Sequence, residues 1–196
     1  MTRPKLNLRK KVEDGLAESA FVKLLLMQRQ AGVIEEMGKR LVRTLQAGRT
    51  IFIFGNGGSA ADSQHIAAEL ESRFLRERRA LPCHALTTNT STLTAIGNDY
   101  GYERTFARQL EAYCRKGDAV IAISTSGNSL NVLEAVKAAK KVGATALGLT
   151  NEKGGKLKRL VDVCVCVPST DTQRVQECHM AVGHILCDII ESSLFG

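Results

Sequence analysis

The chain has 196 residues, of which 44% are hydrophobic and 24% charged, the proportions of a globular protein with a substantial core. The formal charge is +7, but basic and acidic residues are interspersed, and even the densest run, RFLRERR at 73–79, carries Glu77. With no basic tail, no tryptophan and only 5% aromatics, the composition argues against a nucleic-acid platform and for an attraction to anionic metabolites.

No apolar run approaches the roughly 18 residues of a membrane span. Residues 1–11 are charged and lack the apolar stretch of a signal peptide. The six cysteines, at 83, 114, 164, 166, 178 and 187, make neither a disulfide framework nor paired CxxC motifs. Free thiols suit a reducing compartment, so the expected location is the cytoplasm. Cys164 and Cys166 alternate on one strand and should share a side, toward the core.

Residues 1–48 read as two helices, the first around 16–27 and the second carried by Val33, Ile34, Met37, Leu41, Val42 and Leu45. Two helices ahead of the first strand exceed what crossovers need, so their apolar faces are expected to pack on the core and on another subunit. Strands and helices then alternate. Strands are expected at 50–54, 83–86, 119–124, 145–149 and 163–167. Helices are expected at 59–74, 90–98, 105–114, 129–142, 156–160 and 172–194. The strand at 119–124 is the most apolar and should be central. Five strands separated by helices predict an α/β fold, a doubly wound parallel sheet flanked by helices, in one domain over 1–196.

The first strand stops at Gly55-Asn56-Gly57-Gly58-Ser59, with Ser59 placed as the N-cap of the next helix. A strand running through glycines into a helix N-terminus is an anion trap: N–H groups point outward and the helix dipole adds positive potential. The spacing Gly55-x-Gly57-x-x-Ala60 matches a dinucleotide fingerprint, but the second strand ends in Leu86-Thr87-Thr88-Asn89, without the acid that would hold a ribose. The Lys-Ser/Thr of a P-loop is also missing. The third strand ends in a second polar loop, Ser124-Thr125-Ser126-Gly127-Asn128-Ser129, whose hydroxyls and N–H groups can wrap a phosphate. His65 and Glu69 lie four apart on one helix face, with Arg73 a turn further. Gln176 and His184 lie eight apart on the last helix, roughly 80° around the wheel, so both can border one cavity. His179, between them, reads as structural or interfacial.

The motifs GNGGS, QHxxAE, ISTSGNS, LTxxxGG and RVQExHxxxxH together resemble the sugar isomerase (SIS) family and, within it, the phosphoheptose isomerases; the resemblance spans essentially the whole chain. It implies interconversion of sedoheptulose 7-phosphate and D-glycero-D-manno-heptose 7-phosphate, on the way to bacterial lipopolysaccharide or surface glycans. It implies that Asn56, Gly57, Gly58, Ser59, Ser124, Thr125, Ser126, Ser129, Asn98 and Asp99 hold the substrate, with Arg73, Glu69 and Gln176 as further contacts. It also implies one zinc ion per subunit on His65, Glu69, Gln176 and His184, Glu69 and His184 as catalytic base and acid, and a homotetramer with sites between subunits. A sister group is a non-catalytic regulator that binds the bacterial replication initiator, and residues 187–195 resemble it too. In that group the positions of Glu69 and His184 carry other residues, which favours the enzyme here.

Overall fold

The computed structural model describes residues 6–196, so the reading of residues 1–11 lies partly outside the described residues. The N-terminal region is one helix, α1 (Leu8–Gln46, 39 residues), not two. The reason is the buried stripe. Val22, Leu26, Ile34, Met37, Leu41 and Leu45 stay on one face at intervals of three, four or eight, straight through Ala31-Gly32, so nothing requires a break. Asn7 caps its start, accepting from the Lys10 N–H at 3.1 Å.

After α1 come β1 (Ile51–Gly55), α2 (Gly58–Glu71), β2 (Cys83–Ala85), α3 (Thr90–Tyr100) and α4 (Thr105–Tyr113), with a single 3-10 turn at Tyr102–Arg104. β3 (Ala119–Ile123), α5 (Leu130–Lys141), β4 (Thr145–Asn151), the short α6 (Leu157–Leu160), β5 (Val163–Val167) and α7 (Thr172–Phe195) complete the chain. The five strands are parallel, in the order β2-β1-β3-β4-β5, with β3 central as its apolar sequence predicts.

Alternation along each strand feeds two cores. Ile51, Ile53, Ile121, Leu147 and Val165 pack with α1, α2 and α7. Phe52, Phe54, Val120, Ala122 and Ala146 pack with α4, α5 and Leu157 of α6. On β5 the valines take the α1/α7 side. Cys164 and Cys166 do share the opposite side, their sulfurs 4.0 Å apart, but only Cys166 is buried. The expectation that both face the core holds for Cys166 alone, because β5 is an edge strand.

Two features of this order matter for function. The order reverses between β1 and β3, the point where parallel sheets open a ligand crevice beyond the strand ends. Register pairs Gly55 with Ile123, so the glycine turn and the hydroxyl loop leave the sheet side by side.

Candidate active site

The glycine turn is built by close packing. Gly57 takes φ 55°, a conformation glycine adopts without strain, and stands as the N-cap of α2. Ser59 is therefore not the cap. It lies inside the first turn, buried, with its N–H bonded to the Asn56 carbonyl at 3.0 Å. The Ser59 and Ala60 N–H groups bond to the Asn56 and Gly57 carbonyls, and with no side-chain cap the Gly58 N–H at the start of α2 stays available to an anion. A Cβ at Gly58 would overlap the Gln176 amide, and one at Gly55 would lie 2.6 Å from the Ser59 Cβ.

The two loops are locked together by a reciprocal amide pair. Asn56 Nδ2 donates to Asn131 Oδ1 and Asn131 Nδ2 to Asn56 Oδ1, both at 2.8 Å. The Tyr102 hydroxyl donates to the same Asn56 oxygen at 3.1 Å. The Asn56 side chain thus fixes loop geometry. In the second loop Ser129 stands at the N-cap of α5 but makes no capping bond; its hydroxyl meets Ser124 Oγ at 3.0 Å, with Ser126 Oγ 3.5 Å from Ser124. Three hydroxyls therefore cluster beside a second uncapped helix start. Thr125 lies half-buried in the same loop.

A second group of side chains forms where α2 meets α7. His65 Nε2 lies 3.0 Å from Glu69 Oε1 and 3.2 Å from His184 Nε2, and one ligand atom from each residue falls within 4.8 Å of the others. A ring nitrogen carries one proton or one lone pair, so His65 Nε2 cannot direct a proton at both neighbours. A cation accepts all three lone pairs together. Two nitrogens bound to tetrahedral zinc at about 2.0–2.1 Å stand roughly 3.3 Å apart. The donor set fits such an ion. Gln176 is turned elsewhere: its Nε2 lies 3.4 Å from Asp62 Oδ1, against the glycine turn.

Asp62 is a site residue that sequence reading did not assign. It is buried, and its Oδ2 has no partner among the described residues. Burial raises its pKa, against the Gln176 hydrogen bond and the His65 charge. Its signal in the sequence is slight, an acid on the inner face of α2 one turn before His65.

The segment after α2 is shaped by a buried ion pair. Glu191 and Arg78 side chains are each 1% exposed and meet at 3.0 Å. Glu191 also accepts from the N–H groups of Phe74, Leu75 and Arg76 at 3.2, 2.8 and 2.9 Å. Burial works to raise this carboxyl, and the N–H groups of Leu75, Arg76 and Phe74 with Arg78 outweigh it and hold the pKa low. Arg78 spends its other donors on carbonyls, including Glu69 at 2.8 Å and Leu70 at 2.9 Å. This clasp ends α2 at Glu71, not at residue 74 as expected, and brings Phe74 onto His184 with ring centroids 5.9 Å apart. Sequence reading missed it, although an acid on the buried face of α7 and an arginine-rich segment both needed partners.

The other expected positions are spread more widely. Arg73 is exposed, beside Phe74, with no carboxylate in ion-pair range among the described residues. Asn98 and Asp99 are exposed on α3, and Asn98 Nδ2 donates to Asp99 Oδ1 at 2.8 Å. Neither bonds to the turn or to the histidine cluster. His179 is structural, as expected: it is fully buried, with Nε2 3.4 Å from the Thr150 carbonyl.

Known proteins resemble the chain in sequence and fold. Residues 19–151 match the SIS domain family model. The phosphoheptose isomerase of Roseiflexus sp. (strain RS-1) is 51% identical over 195 residues, covering 100% of this chain and 99% of its own. That of Aquifex aeolicus (strain VF5) is 50% identical over 181 residues, covering 92% and 95%. The solved phosphoheptose isomerase GmhA from Neisseria gonorrhoeae superposes with a TM-score of 0.90 at 41% identity, covering 95% of this chain and 100% of that one. A phosphoheptose isomerase from Francisella tularensis gives 0.92 at 33% identity, with the same coverage. The chain belongs to the SIS-domain family and, within it, to the phosphoheptose isomerases.

Proposed function

We propose that this chain interconverts sedoheptulose 7-phosphate and D-glycero-D-manno-heptose 7-phosphate, an aldose–ketose isomerisation through an enediol that supplies heptose for bacterial surface glycans. The observation that carries the reading is the pairing of a phosphate-fitting cradle at the β1/β3 switch with Glu69 and His184 where α2 meets α7. The names of the relatives agree with it.

The chemistry follows from the residues. The phosphate sits against the uncapped starts of α2 and α5, where N–H groups and the hydroxyls of Ser124, Ser126 and Ser129 receive it. Proton transfer between C1 and C2 needs a base at the carbon and a partner for the oxygen proton. Glu69 faces His65 with Oε1, while Oε2 makes no hydrogen bond among the described residues and can take the carbon-bound proton. His184 turns Nε2 toward His65; with its Nε2 lone pair free of the ion it can take the oxygen proton there and return it, and with Nε2 ligating its Nδ1–H is left to donate a hydrogen bond. Ligation through one oxygen and proton transfer through the other are thus compatible in Glu69, whereas His184 serves as ligand or as proton carrier at any one moment. His65, Glu69 and His184, with Gln176 after it releases Asp62, would hold one zinc ion, which would supply Lewis-acid polarisation of the carbonyl.

The reading includes a homotetramer with sites between subunits. It is supported by an apolar groove of about 330 Å³ between α1 and α7, lined by Met27, Ala31, Ile34, Ala181, Ile185 and Ile189, and by exposed Leu16, Phe21 and Leu24 on α1. To test the activity, purified protein is incubated with sedoheptulose 7-phosphate, then assayed again after chelation and after zinc is restored. The reading expects the aldose to appear, to stop appearing on chelation and to return with zinc. No turnover in any arm, with zinc supplied, overturns it.

A further inference from the structure

A basic groove lies at the opposite end of the sheet from this site. It occupies about 560 Å³ and gathers Arg40 and Arg43 from the last turns of α1, Arg49 from the α1–β1 turn and Lys116 from the α4–β3 loop. No acidic residue lines it. Arg40 is paired, its Nε 2.8 Å from Glu36 Oε1. Arg43, Arg49 and Lys116 have no carboxylate within ion-pair distance among the described residues. Asp118 is close in sequence but turns inward, its carboxylate taken by the N–H groups of Thr50 and Arg115 at 3.0 and 2.7 Å. Nearby in the chain, Lys39 is paired with Glu35 and Lys140 with Asp162, while Arg115 and Lys141 have no carboxylate in ion-pair range among the described residues. Three cations without a carboxylate partner therefore converge on the groove.

The stems of Arg49 and Lys116 lie against glycines. Gly117 at φ 90° and Gly143 at φ 83° let the loops pass under the two stems. A Cβ at Gly117 would lie 3.4 Å from Arg49 Nε, and one at Gly143 would lie 3.3 Å from Lys116 Cγ. The end of α1 accounts for one basic residue, since a cation in a last turn complements the helix dipole. It does not account for Arg49 and Lys116, which come from two other loops. Solvated surface cations normally spread apart or pair. Convergence from three segments onto one concavity is the geometry of anion recognition, and arginine suits phosphate oxygens.

We propose that this groove is a second anion site, separate from the catalytic one, for a small phosphorylated molecule carrying at least two negative charges. A concave pocket of this size fits a small ligand.

The test is a titration of the whole ¹⁵N-labelled protein with inorganic pyrophosphate at constant ionic strength, following amide shifts. Saturable shifts are expected at Arg49, Gly117 and Gly143, with a dissociation constant of roughly millimolar order or tighter. The Arg49→Ala/Lys116→Ala double variant should weaken them at least about tenfold, while leaving pyrophosphate shifts at Gly58 and Ser59 as in the parent. Shifts absent from the groove, retained by the double variant, or reproduced by sodium chloride would overturn the proposal. Tighter binding of a DNA or RNA duplex than of pyrophosphate at these amides would also overturn it, in favour of a polymer surface. The outcome does not depend on the isomerase reading, since shifts at Gly58 and Ser59 report the catalytic cradle separately.

Discussion

Glu69 stands at the centre of the account because it has one oxygen committed and one free. Glu69→Gln keeps the shape and removes the base. Turnover should fall by about 10²- to 10⁴-fold, with substrate binding largely retained in a calorimetric titration. Gly58→Ala tests the cradle. Its new Cβ meets the Gln176 amide and crowds the phosphate cradle, so kcat/KM should drop with little change in fold by circular dichroism. His179 makes a different prediction. Burial lowers its pKa from 6.5 to about 4, against a weaker opposing pull from Thr150. The unfolded chain takes up a proton below pH 6.5 that the folded chain refuses, so this contribution is complete above 6.5 and is lost as pH falls toward 4. The loss is on the order of 3 kcal/mol. Urea unfolding across that range should show the slope, and His179→Leu should flatten it. The glycines, hydroxyls, His65, Glu69 and His184 were legible as residues because their types and spacing point to one chemistry. That Asn56 spends its side chain on Asn131 was not legible, since the two lie 75 positions apart.

At the scale of elements, the strands were nearly all readable because a buried parallel strand is an uninterrupted apolar run, and β5 was expected at its observed limits. Helix ends were less so. The end of α2 is set by Glu191, more than 100 residues away, and no local propensity records it. The division of α1 into two helices failed for the converse reason: Gly32 weakens a helix locally, but a continuous buried stripe outweighs it. The clasp is testable directly. Glu191→Gln leaves Arg78 charged and unpaired in a buried setting. That should cost about 3–5 kcal/mol, roughly 6–20 °C in Tm for a chain of this size. Because the clasp also places Phe74 against His184 and binds the Glu69 carbonyl, kcat should fall even well below the new Tm. Phe74→Ala, which leaves the ion pair intact, should lower kcat with a smaller loss of stability.

At the scale of the whole molecule, the fold puts the His65–Glu69–His184 cluster and the apolar groove on neighbouring faces of α7: His184 on one, Ile185 and Ile189 on the other. Assembly across α1 and α7 would therefore close the surface next to the site. Light scattering should give the mass of four chains, and Ile185→Glu should lower it and reduce activity together; a monomeric parent would remove the intersubunit site. The sequence announced this surface through its surplus apolar residues before β1, but periodicity cannot count copies. The central claim is that Glu69 moves a proton between two carbons of a seven-carbon sugar phosphate. The most direct measurement is proton NMR of sedoheptulose 7-phosphate with the enzyme in heavy water. The account predicts that the aldose forms with deuterium at C2, and that Glu69→Gln yields neither aldose nor label. Aldose formed by Glu69→Gln at the parent rate, or none formed by the parent with zinc present, would contradict it.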